Sequence, residues 1–488
     1  MGIRYYPDFF NDVFGPVMQP GSSSHTAGPC RIGYIANGLL QAPVREITVQ
    51  IDPVGSFSGT FGLMNEDLGM LAGAYGLLPD DKNIFRIREI LEREGIAYSF
   101  CKKPITASSH PNAVTFHLKD INGEYVFLTG NSTGGGMIEI VDVCGKKVHF
   151  LGDTDMPVTV ETDGKPRTLL LKQVLPIASA ADRKPQLFDT FTGWIAEAEK
   201  RNLSLSETAV LYEQLSSGLS REDVISRMKE IQNLLTLETE HVYLDAASLL
   251  ENPYSGYHFR QWEVYRKDGS PLSGPVVALA LHYMFAAQAL QKGVKLVPGP
   301  MGTGGGFLFS ALRAVKETGG YSDEDVLRGL FIAAGVGAIA YTRTNPTGEI
   351  IGCMGECGVC SAMSAAGITE MAGGTAAQVQ AAASLSLQAA IGWPCDPIPG
   401  GNNQPCLSRF STAVVMAIVF ADLALSGREA VLPFHEVVDA ADRLGKQMPP
   451  SLLCTSCGGL CATPTAKKQK AEFEAFYQKS NETIRKEN

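Results

Sequence analysis

The chain has 488 residues, a formal net charge of −10, 45% hydrophobic residues and 19% charged ones. That length exceeds one ordinary core, so two or three domains are expected. No basic excess is available to neutralise phosphates, which argues against nucleic acid as the main partner. The first residues, MGIRYYPDFFNDVFGP, carry Asp and Pro and lack an apolar core segment, so no signal peptide is expected. In chain order, β-branched runs bounded by Gly, Asn or Asp predict strands over 46–55, 113–118, 124–130 and 137–145. Between them, 68–78 and 82–95 have helical period, with Ile84, Ile87, Ile90 and Leu91 on one face. Residues 161–185 lose periodicity and gain charge and Pro, which predicts a linker near the end of that stretch.

From 191 onward the pattern is helical, interrupted by Gly-rich loops at 297–306, 345–353 and 395–406. The most apolar runs, LFIAAGVGAIAY (330–341) and AVVMAIVFADLAL (413–425), fall short of the ~20 residues of a membrane span. They are expected as buried helices of an α-rich core, with no membrane contact. The tail KKQKAEFEAFYQKSNETIRKEN predicts a charged, solvated helix.

Of eleven cysteines, eight lie beyond residue 350: Cys353, Cys357, Cys360, Cys395, Cys406, Cys454, Cys457 and Cys461. Clustering in a chain without a secretion signal favours metal or redox chemistry in a reducing compartment. CMGECGVC has the C-x3-C-x2-C spacing of radical enzymes that bind a cluster and S-adenosylmethionine. Its helix–loop–helix flanks lack the strands such enzymes place before it. The other reading makes one of these cysteines a ligand and two of them small buried residues. Cys395 lies 42 positions beyond Cys353, and Cys406 a further 11, bracketing a Pro- and Gly-containing segment that can wrap an ion. Three thiolates from loops can hold a cubane cluster and leave one iron open as a Lewis acid.

The stretches IGCMGECGVCSAMSAAGITEMAGGT and IGWPCDPIPGGNNQPC resemble the catalytic α part of the iron–sulfur-dependent L-serine dehydratases. VPGPMGTGGGFLFSAL and GGLCATPT are similar to further α-part segments. PGSSSHTAGP, HPNAVTF and NSTGGGMIEI resemble the family's β part. The resemblance thus spans both halves, β then α, on one chain. It implies an α+β two-domain fold: an N-terminal α/β domain (1–170), a linker (171–190) and a C-terminal all-α catalytic domain (191–488) holding the cluster. The implied activity is deaminating dehydration of L-serine to pyruvate and ammonia. The implied cofactor is a [4Fe–4S] cluster on Cys353, Cys395 and Cys406, without pyridoxal phosphate. The implied state is a cytoplasmic dimer of identical chains acting on a small amino acid.

Catalysis is expected of His25 and His110, since a neutral imidazole suits proton transfer near neutral pH, and of Asp67. A structural histidine fixing a loop is the ordinary alternative, and is the reading for His117, His149, His241, His258, His282 and His435. Ser22, Ser23, Ser24, Thr26, Asn131, Thr133, Gly134, Thr303 and Gly304 are expected around the substrate, where short donors and Gly-rich backbone can approach a carboxylate.

The sequence departs from the family at two places. Met64 stands where the family has His, and methionine accepts no proton; Glu66 nearby could compensate. The loop at 297–306 lacks the usual Ala-Gly-Ser. A same-fold lyase acting on threonine, cysteine or another β-substituted amino acid is therefore a second reading, and a non-catalytic cluster-bearing sensor a third. The C-x2-C-x3-C run at Cys454, Cys457 and Cys461 puts thiols where the family tends to have polar residues. These are ligands of the fourth iron, a second metal site, or buried packing.

Overall fold

The computed structural model describes residues 7–62, 64–162, 165–177, 186–240, 258–288, 293–299, 304–399 and 405–486. An N-terminal α/β region carries a mixed sheet, and a helical region follows it. The sheet has the order β2-β1-β3-β4-β5-β6, built from β1 (Val44–Ile51), β2 (Ala97–Lys102), β3 (Ala113–Asp120), β4 (Tyr125–Gly134), β5 (Met137–Val143) and β6 (Lys146–Phe150). Only β1 and β2 run parallel; the other neighbours are antiparallel. Register follows the period-2 rule. Val49 faces Phe116, and Phe116 faces Leu128, so one face is a continuous apolar layer. The helices Gly28–Asn37 and Glu66–Tyr75 cover that layer with Ile32, Ile35, Met70 and Leu71.

The four predicted strands are present, but the described residues contain eight. β6 escaped prediction because Lys146 and Lys147 open it, and β2 because this edge strand has no fully buried residue to mark it. A hairpin, β7 (Met156–Thr162) with β8 (Lys165–Leu171), occupies part of the predicted aperiodic stretch. Lys165 and Arg167 share a face with the buried Leu169 and Leu171 but sit at the turn end of the hairpin, where Arg167 pairs with Glu124, so the charge that suggested a linker belongs to the open end of a strand. The Gly28–Asn37 helix was also unpredicted. Its Pro29 sits in the first turn, where a missing N–H costs nothing.

The helical region starts from explicit caps. Ser322 and Asp325 exchange capping-box hydrogen bonds at the head of Asp323–Arg343, and Thr375 and Gln378 do the same for Ala376–Ala389. Asp323–Arg343 crosses Cys360–Met371 where two glycines meet: a Cβ on Gly367 would lie 2.8 Å from the Gly329 carbonyl oxygen. Phe9, Phe10, Val13 and Phe14, from the start of the described chain, pack into this helical core. Trp194 is fully buried, stacks on Phe188 at 4.5 Å and donates from Nε1 to the Leu205 carbonyl at 3.1 Å. Trp194→Ala should lower unfolding stability by about 3–5 kcal/mol, read from the urea midpoint.

One expectation is corrected. Asp323–Arg343 and Cys406–Leu425 are 21 and 20 residues long, so both have the length and apolarity to cross a bilayer. The apolar window of the first is 89% buried within the protein, as predicted for a core helix, but that of the second only 33%. Val419 and Leu423 on the second helix are exposed.

Candidate active site

The SSSHT stretch forms one tight turn of wide helix, Ser23–Ala27, ahead of Gly28–Asn37. Ser22 caps it, accepting from the His25 N–H at 3.1 Å. Thr26 Oγ1 accepts from the Ser22 N–H and donates to the Met64 carbonyl. Ser23 is buried and contributes its carbonyl to the Gly28 N–H. Ser132 Oγ donates to the Ser24 carbonyl at 2.6 Å and pins the turn to β4.

These bonds bury the His25 ring completely. Its Nε2 lies 2.9 Å from Ser56 Oγ, and its Nδ1 lies 2.9 Å from Ser24 Oγ and 3.2 Å from Glu349 Oε1. Ser24 Oγ donates to the same Glu349 oxygen at 2.7 Å. The Ser24 hydroxyl thus has one proton and two acceptors within reach. Burial pushes His25 below its ordinary value while the Glu349 charge pulls it up. Burial alone would raise Glu349, but His25, the Ser24 hydroxyl and the Asn112 side chain keep it below the usual carboxylate range. His110 joins this electrostatic group. Its Nδ1 accepts from the Asn112 N–H at 3.1 Å, and burial lowers it against the opposing charges of Glu349 and Glu139.

Glu349 comes from the helical region, on the short helix Gly348–Ile351 just ahead of Cys353. A Cβ on Gly348 would fall 2.7 Å from Cys395 Sγ, so a glycine is required for this segment to lie against the thiols. Cys353, Cys395 and Glu356 bring their ligating atoms within 4.8 Å of one another. Hydrogen bonds from Cys357 and Cys395, together with the Arg409 guanidinium 3.8 Å from its sulfur, hold Cys353 well below the ordinary thiol range despite burial. Arg409 also pairs with Asp396 at 2.6 Å. Cys406 opens the helix that carries Arg409 and lies outside the tight group, yet feels the charges of Cys353 and Cys454. Cys360 points into the core, with its sulfur 3.9 Å from the Gly304 carbonyl. A soft, buried donor set of thiols with a guanidinium beside it fits an anionic iron–sulfur cluster.

The remaining predicted residues are less gathered. Asp67 is ion-paired with Arg88. Asn131 accepts from Ser108 Oγ at 2.6 Å and donates to Glu139 at 3.0 Å. Thr133 and Gly134 end β4 against Asn345 and Thr347. Gly304 starts its helix against Gly299. Thr303 lies outside the described residues. Met64 packs against the core that contains the cysteines.

Sequence reasoning missed Glu349, whose only signal was its place four residues before Cys353. It also passed over the state of Glu66. That side chain is fully buried, accepts from the Met64 N–H at 2.9 Å and is pushed up to about 8 by burial. Because the folded protein keeps this proton while the unfolded chain loses it near 4.5, stability falls as pH rises from about 4.5 to about 8. The slope is on the order of 1.4 kcal/mol per pH unit. Glu66→Gln, which keeps the neutral shape, should raise the denaturation midpoint at pH 8 and change it little at pH 4.5.

Known proteins resemble this chain over both halves. Residues 200–461 match the family "Serine dehydratase alpha chain". The L-serine dehydratase alpha chain of Peptoniphilus asaccharolyticus is 33% identical over 219 residues, covering 45% of this chain and 75% of that one. Its beta chain is 34% identical over 142 residues, covering 29% of this chain and 63% of its own length. L-serine dehydratase 2 of Escherichia coli (strain K12) is 26% identical over 491 residues, covering 93% of this chain and 97% of that one. With matches to separate alpha and beta chains and to a full-length relative, this single chain belongs to the L-serine dehydratase family and is a carbon–oxygen lyase.

Proposed function

We propose that the protein removes water and then ammonia from L-serine, giving pyruvate, with a [4Fe–4S] cluster on Cys353, Cys395 and Cys406. One observation carries the reading: the buried Ser24–His25–Glu349 group, assembled from the α/β region and the helical region, meets the thiol group at Gly348. When bound, the cluster supplies Lewis-acid activation of the β-hydroxyl. The protein's own residues handle protons and orientation. Ser24, His25 and Glu349 form the proton-handling group, with His110 facing the same carboxylate. The hydroxyls of Ser22, Ser23 and Thr26, with Asn131, Thr133, Gly134, Thr303 and Gly304, shape the approach for a small zwitterion. Removal of the α-proton and loss of hydroxide leave an enamine, which tautomerises and hydrolyses to pyruvate and ammonia. Pyridoxal phosphate has no part in this reading. The working form is a cytoplasmic dimer of identical chains without nucleic-acid or membrane partners, divided into an α/β domain (1–170), a linker (171–190) and an α domain (191–488) that holds the cluster.

Met64 favours a second reading, in which the same site takes threonine, cysteine or another β-substituted amino acid. The deciding experiment is anaerobic purification, reconstitution with iron and sulfide, and assay of 2-oxo acid and ammonia over such a panel. Pyruvate from L-serine in proportion to cluster content supports the first reading. A full cluster with turnover only of another member supports the second.

A further inference from the structure

A cavity of about 490 Å³ lies where the α/β region meets the helical region, and no residue of the site described above lines it. One wall comes from the Gly28–Asn37 helix, residues 78–80 and residues 173–176 beyond β8. The other comes from residues 10–17 and the helix Arg221–Glu240. Phe10, Phe14, Leu175 and Ile231 give it buried apolar sides. The volume is that of a small-molecule pocket.

Of the charged side chains on this lining, Arg31 alone is buried, at 2% exposure. A guanidinium has five N–H donors. Among the described residues its acceptors are two carbonyls, Gly136 at 2.6 Å and Pro16 at 3.4 Å, and no carboxylate. Asp80 acts on it through space, but that carboxylate is paired with Lys295 at 2.8 Å. Burial lowers Arg31 to about 10, so it stays charged near neutral pH. A charge taken this far out of water is ordinarily matched by an opposite one. Beside Arg31 there is a cavity instead.

The other charged groups narrow the choice of anion. Arg227 is half-buried, lies 5.8 Å from the centroid of the Phe10 ring and adds a second positive charge. Asp80 is half-buried and Glu230 exposed, and both repel any second acidic group on a ligand. One carboxylate on an apolar body fits this lining; a dicarboxylate does not.

We propose that the cavity binds an apolar monocarboxylate, an aryl or branched aliphatic acid, with its carboxylate on Arg31 and its hydrocarbon part against Phe14, Leu175 and Ile231. The site is separate from the one that handles serine and does not depend on the cluster. Its occupant touches both regions at once, and Arg31 stands in the helix that continues from the His25 turn.

The probe is phenylacetate, titrated by calorimetry into the full-length chain. 2-Phenylethanol, without the charge, and succinate, with two charges, are the controls. Phenylacetate should bind with a Kd of about 0.1–1 mM, the range that about ten heavy atoms of ligand give. It should also raise the thermal midpoint. Both controls should bind at least about tenfold more weakly. Leu234→Trp, which fills the cavity from a half-buried position on its lining, should weaken phenylacetate by about tenfold or more. Arg31→Lys should do the same, because an ammonium cannot match a carboxylate in two places. Arg31 also holds two carbonyls, so if that variant fails to fold, Leu234→Trp and the two controls decide. No binding of phenylacetate up to about 10 mM overturns the proposal. Equal affinity for 2-phenylethanol overturns it too, as does an unchanged Kd in Leu234→Trp, which places the probe elsewhere.

Discussion

Glu349→Gln should leave iron and sulfide content unchanged and lower kcat by about 10²–10⁴-fold, the usual contribution of a positioned proton-transfer group. The substitution preserves size, and the Gln oxygen can still accept from Ser24 Oγ, now 2.7 Å from Glu349 Oε1. What disappears is the negative charge 3.2 Å from His25 Nδ1. Burial already pushes the ring below its ordinary value, and Glu349 is what opposes that. Without the carboxylate the imidazole should hold a proton only at lower pH, so the acid limb of the kcat profile should move down. A variant with a full cluster, wild-type kcat and an unmoved profile would remove Glu349 and His25 from the proton path.

Cys395→Ala should abolish the cluster, and with it turnover. Cys395 is 3% exposed, its sulfur meets Cys353 on one side and Cys454 on the other, and it packs directly against Gly348. The matched control is Cys360→Ala. That thiol is equally buried but lies in the helical core against the Gly304 carbonyl, so its loss should cost packing and spare the iron. Iron and sulfide analysis with the visible charge-transfer band reads both variants. Full cluster in Cys395→Ala, or cluster loss in Cys360→Ala, would overturn the ligand assignment.

Much of the fold was legible where one physical signal dominated. The apolar strands of the central sheet and the helices after residue 191 announce themselves by period. The β7–β8 hairpin did not, because its turn end carries Glu161, Lys165 and Arg167, charges that usually mark a loop. The Gly28–Asn37 helix was hidden by the Gly/Pro/Ser-rich stretch ahead of it, whose Ser22 caps the wide turn Ser23–Ala27 that leads into the helix. In the site, Cys353 and Cys395 were readable from spacing and resemblance, and the structure brings them together. Glu349 was not, since its meaning depends on a partner 325 residues before it. The Asp67 carboxylate is ion-paired with Arg88, a partner the sequence did not indicate. No local pattern distinguishes a carboxylate that meets an arginine from one that meets a histidine.

The Ser24–Glu349 contact has a further consequence for how the protein behaves on dilution. It joins the α/β region to the helical region through a single polypeptide, so its formation is unimolecular. A tether of this kind keeps the local concentration of one partner about the other in the millimolar range. The proton-handling group should therefore stay assembled at any protein concentration. Were the backbone severed between β8 and the Phe191–Arg201 helix, the same contact would become a bimolecular equilibrium, and specific activity would fall as the two pieces were diluted apart.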